Sequence, residues 1–100
     1  MTDNTKPEFA YISALQNDVV SVNGGMPYVN IPVISPYGIA SVIPKGTRVV
    51  AVPVGDTAVC IGAQQQADGL KEGELMLFSS GGASIVLKND GKVLINGKEV

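Results

Sequence analysis

The run Val49-Val50-Ala51-Val52-Pro53-Val54 has six apolar residues in succession and no polar one. A strand of an ordinary antiparallel sheet alternates, because one face meets the core and the other meets water. Ala58-Val59-Cys60-Ile61 and Leu75-Met76-Leu77-Phe78 break the rule in the same way. A chain of 100 residues supports one small core and cannot cover both faces of three such strands by itself. Their outer faces need cover from elsewhere. Another copy of the same chain is the expected cover, since most soluble oligomers are homo-oligomers.

The apolar runs are short, β-branched and bounded by turn residues, a pattern of strands. Phe9 to Leu15, Val19 to Val22 and Tyr28 to Ile34 are the first candidates, followed by Ile39 to Ile43. Thr47 to Val54 and Thr57 to Ala63 form a hairpin around Gly55-Asp56, and Gly73 to Phe78 is a further strand. Ser84 to Lys88 and Lys92 to Asn96 flank Asn89-Asp90-Gly91, and Asn96-Gly97 begins another turn. No segment holds a 3.6-residue apolar period for ten residues, so the expected class is all-β. The first seventy-odd residues read as a five- or six-stranded barrel and the last twenty as the start of a β-stem.

Val19 to Pro44 contains no charged residue, a length that could span a bilayer. Pro27, Pro32 and Pro36 break any helix there, and Asn23, Gly24, Gly25, Asn30 and Gly38 argue against burial in lipid. Met1 to Glu8 is polar, reads as a loose tail, and lacks the basic start and apolar stretch of a signal peptide. The net charge of −2 disfavours nucleic-acid binding by phosphate neutralisation.

With no His, the commonest general base and a frequent zinc ligand are missing. Cys60 is a lone cysteine in an apolar run, expected to be buried and inert. Asp68, Glu72 and Glu74 read as a solvated acidic patch rather than a cation site. Ser79-Ser80-Gly81-Gly82 lacks the spacing of a nucleophile elbow or phosphate loop and is expected to be a flexible junction. Arg48 is expected at a rim with its stem lying on apolar surface, and the five aromatic residues in core or interface packing. Neither an enzyme nor a cofactor or metal site is expected.

Pro36-Tyr37-Gly38-Ile39-Ala40-Ser41, then Pro44-Lys45-Gly46, then the hairpin from Val49 to Ala63, form an ordered series. Leu70-Lys71-Glu72-Gly73-Glu74-Leu75, Phe78-Ser79 and Ser84-Ile85-Val86-Leu87-Lys88-Asn89-Asp90-Gly91 continue it. The order and spacing, over roughly residues 36 to 96, resemble the baseplate central-spike proteins of contractile-tailed phages, the Mu-like baseplate assembly protein V family. The resemblance implies an OB-like antiparallel barrel followed by a triple-stranded β-helix, trimeric on the tail axis. It also implies a spike that caps the tail tube and pierces the host envelope. Such spikes often end in a metal-binding His-x-His needle, whereas this chain has no His and a stem of about two short strands. The hub or plug function fits, in a shortened spike, in a spike whose tip is supplied by a separate protein, or in a relative that has kept only the barrel.

These readings divide the chain into a tail (1–8), an OB-like barrel (9–78) and a β-stem (79–100). The expected oligomer interface comprises Val50, Val52, Leu75, Leu77, Ile85, Leu87, Val93 and Ile95. Period two places Ile85, Leu87, Val93 and Ile95 toward a threefold axis, with Val86 and Leu94 on less buried faces and Lys88 wet. The expected partners are two further copies, tail-tube or baseplate proteins and, transiently, the host envelope. The expected location is the virion, after synthesis in the host cytoplasm. The alternatives are an oligomeric OB-fold module for single-stranded nucleic acid or glycan, and another virion trimer such as a head-decoration protein.

Overall fold

The computed structural model describes residues 6–100; the first five residues of the expected tail lie outside them. Among the described residues nine strands and no helix form two antiparallel sheets, so the chain is all-β. It divides into two compact units between Gln65 and Gln66.

In the first unit β1 (Glu8–Gln16), β2 (Val19–Asn23), β3 (Pro27–Pro32), β4 (Arg48–Val54) and β5 (Thr57–Ala63) lie in the order β3-β2-β1-β4-β5. Short turns drive this arrangement. Asn17 takes φ 53 between β1 and β2, and Gly55 takes φ 60 at the expected β4–β5 hairpin. Inward residues alternate along each strand: Ala10 and Ile12, Val20 and Val22, Val49 and Ala51, Ala58 and Cys60. Ile31 and Ile43 complete the core. Glu8, expected in the tail, is instead the first residue of β1, pairs with Ala51, and accepts the Met26 N–H at 2.9 Å. The β2–β3 loop lies so close to β1 that a Cβ on Gly24 would come within 2.7 Å of the Phe9 carbonyl oxygen.

The expected barrel is not closed. β3 and β5, the two edges, approach through one parallel bridge from Val33 to Cys60, where Ile34 N–H donates to the Cys60 carbonyl at 2.7 Å. Ile39 to Ile43 is not a strand. β1 already has β2 and β4 beside it, and β4 has β1 and β5, so no interior place in the sheet is left. Pro36 and Pro44, which have no N–H to donate, bracket the segment. Only Ile43 turns inward, while Ile39 and Val42 stay exposed.

In the second unit β6 (Leu75–Phe78), β7 (Ser84–Leu87), β8 (Val93–Ile95) and β9 (Lys98–Glu99) form a meander. Leu75–Phe78, assigned from sequence to the end of the barrel, pairs with β7 instead, so the division falls after Gln65 rather than after Phe78. The cause is Ser79-Ser80-Gly81-Gly82, which is a tight hairpin turn and not a junction. Ser79 N–H donates to the Ala83 carbonyl and Gly82 N–H to the Ser79 carbonyl, both at 3.0 Å. Strands this near in sequence meet first. Asn89-Asp90-Gly91 is a turn, as expected, and Asn96-Gly97, with φ 52 and 80, leads into β9. No helix among the described residues is long and apolar enough to cross a membrane.

Candidate assembly surfaces

The register of the second sheet sets its apolar side chains in two rows. Leu75 lies opposite Leu87, and Leu87 opposite Val93; Leu77 lies opposite Ile85, and Ile85 opposite Ile95. Period two puts all six on one face. Each is between 37% and 51% exposed, values large for adjacent aliphatic residues. Six of the eight expected interface residues therefore come together here. Met76, Val86 and Leu94 occupy the opposite face, where each is half-buried. In the single chain, Val86 and Leu94 are better covered than Ile85, Leu87, Val93 and Ile95, the four residues expected to turn toward an axis and be covered there by other copies.

Val50 and Val52 lie in the first unit, on the outer face of β4, alternating with buried Val49 and Ala51. Val50 is opposite Phe9 and Val52 opposite Val59. Phe9 and Ile61 are both more than half exposed. Arg48 is half-buried beside them, its guanidinium 3.8 Å from the centre of the Phe9 ring, and donates to Gln64 Oε1 at 3.3 Å. Expected at a rim, it extends the apolar surface by stacking. Of the aromatic residues expected in core or interface, Tyr28 packs on the core, whereas Phe9, Tyr11, Tyr37 and Phe78 are exposed.

The chemistry-bearing side chains are dispersed. Cys60 is fully buried, as expected. A groove of about 440 Å³ in the first unit runs beside Leu15, Val19, Val33 and Val42, and Asp18 is its one ionisable lining residue. Among the described residues no three His, Cys, Asp or Glu side chains gather as a metal site.

Glu74 departs from the solvated acidic patch expected of it. Its side chain is 2% exposed. Oε1 accepts the Lys71 N–H at 3.0 Å, Oε2 accepts the Asn89 N–H at 3.2 Å, and Lys88 Nζ lies 3.3 Å from Oε2. The Lys71 backbone N–H first, then that of Asn89, and then the Lys88 ammonium hold the carboxyl below its ordinary pKa. Lys88, expected to be wet, is a partly buried ion-pair partner for the same reason. The three-residue reach from Glu74 back to the Lys71 N–H was the available signal, the same geometry by which a carboxylate caps a turn.

No protein-family model matches the chain, and no curated protein or solved structure shows significant similarity to it.

Proposed function

We propose that this chain is a non-enzymatic structural protein that assembles as a homotrimer and serves as the hub or short central spike of a contractile phage tail. The observation that carries this reading is the bare six-residue apolar face of the second sheet. A sheet with one unburied apolar face is unfavourable in water, and three copies meeting face to face about an axis would bury all eighteen side chains. The first unit serves as the OB-like body and the second as the start of the stem. The place in the particle rests on the ordered motifs from Pro36 to Gly91. The partners proposed are tail-tube or baseplate proteins and a separate tip protein, with brief contact with the host envelope from the virion.

Light scattering of the full chain at micromolar concentration is expected to report three times the chain mass of 10.3 kDa. A monomer mass would overturn the trimer. Salt-sensitive binding of a labelled single-stranded oligonucleotide would favour a nucleic-acid module over a hub.

A further inference from the structure

We propose that Glu74 is a positioning residue that locks β6 in register on β7, and so determines which side chains the apolar face presents. The inference rests on reading that face as the assembly surface. β6 has four apolar residues and none is buried. Register is weakly specified where neither face of a strand is held by a core, and a slip by one residue would exchange Leu75 and Leu77 for Met76 and Phe78 on the face. The Ser79–Ala83 turn ties one end of the β6–β7 pair. Glu74 ties the other.

The carboxylate precedes Leu75 and bridges two turns, taking the Lys71 N–H on Oε1 and the Asn89 N–H on Oε2. Asn89 returns the tie by donating from Nδ2 to the Glu72 carbonyl at 2.9 Å. Gly73 makes the approach possible: at φ 91, a Cβ there would lie 2.9 Å from Asn89 Oδ1. The titratable side chain facing the carboxylate is Lys88, at the end of β7. Lys71 and Asn89 meet it through backbone amides, and Glu72 joins through its carbonyl. Acid acts on this lock through the Glu74 carboxylate, the group that these contacts hold in its charged form. A carboxyl with a lowered folded pKa contributes its full stabilisation above the unfolded value and loses it as pH falls through the folded one.

Amide hydrogen exchange and light scattering on the full chain, Glu74→Ala and Glu74→Gln test the assignment. By alternation from the Ser79–Ala83 bond, the Leu75 and Leu77 amides face β7. In Glu74→Ala at neutral pH they are expected to exchange about tenfold faster, and the assembly to dissociate at about tenfold higher concentration. As pH falls through and below the ordinary carboxylate range, the wild type should progressively lose β6 protection, corrected for intrinsic exchange, whereas Glu74→Gln should change little. Asp90, which accepts the Lys92 N–H, is present in both proteins and cancels from that comparison. Equal β6 exchange in the wild type and Glu74→Ala, or the same acid response in Glu74→Gln, would overturn the lock. A monomeric wild type would overturn the assembly reading, while the exchange rates would still report on the lock.

Discussion

The two units bury their apolar residues in opposite ways. The first encloses Ile12, Val22, Ile31, Val49 and Cys60 almost completely, inside a five-stranded sheet whose edges meet at Val33 and Cys60. The second is a four-stranded sheet of shorter strands in which no apolar residue from 66 to 100 is buried. Hydrogen bonds along a ladder contribute little net free energy against water, so a sheet without a core is marginal however regular its pairing. One unit is completed by its own chain, and the other has its apolar half displayed for another.

The sharpest way to break this contrast is to separate the units. A chain ending at Gln65 is expected to melt cooperatively with a β-rich circular dichroism spectrum. Residues 66–100 alone should give the spectrum of an unfolded chain. A stable, monomeric 66–100 segment would show that the second sheet needs no partner.

Next in size is Leu87→Asp. Leu87 is the middle of the row Leu75–Leu87–Val93 and is 45% exposed, so a single chain should tolerate the change. In a trimer it forfeits about 2 kcal/mol of apolar burial per chain, and three carboxylates then crowd one apolar core. The expected result is a monomer mass with the melting of the first unit unchanged. A variant that remains trimeric would remove Leu87 from the interface.

Ile12→Ala probes the other side of the comparison. Ile12 is 2% exposed, and its truncation should cost the first unit about 2–5 kcal/mol. Thermal melting should fall sharply, while below the transition the mass in solution stays that of the assembly. If Ile12→Ala and Leu87→Asp gave the same phenotype, the units would not be separate cooperative elements.

Much of the local structure was legible in the sequence, because turn residues and period-two runs act locally. Gly55-Asp56 and Asn89-Asp90-Gly91 turn where expected, and Cys60 is buried. Sheet membership was less legible, since it depends on which edges remain open after nearer strands have paired. Ile39 to Ile43 has strand composition but finds no interior place beside β1 or β4. Leu75–Phe78 was placed with the barrel although the turn at Ser79–Ala83 delivers it to β7. The six-residue face was partly foreseen because alternation fixes which residues share a side. Glu74 was missed because its partners are backbone amides, one of them in a turn fifteen residues away.

The smallest expected effect concerns how the second sheet ends. Lys92 Nζ lies 3.7 Å from Glu99 Oε2, with both side chains more than half exposed. Such a pair gains little in water, loses side-chain freedom and is screened by salt, so Lys92→Met should cost less than about 0.5 kcal/mol. The backbone holds β9 more firmly. Asn96 and Gly97 both take positive φ, Asn96 Oδ1 accepts the Ser84 N–H at 2.9 Å, and Val100 N–H donates to the Val93 carbonyl at 3.1 Å. Gly97→Val, which forces a β-branched residue to φ near 80, should therefore cost about 1–2 kcal/mol. Amide exchange at Val100 ranks the two variants. If Lys92→Met loosened that amide more than Gly97→Val, side-chain charge rather than turn geometry would be what fastens the last strand.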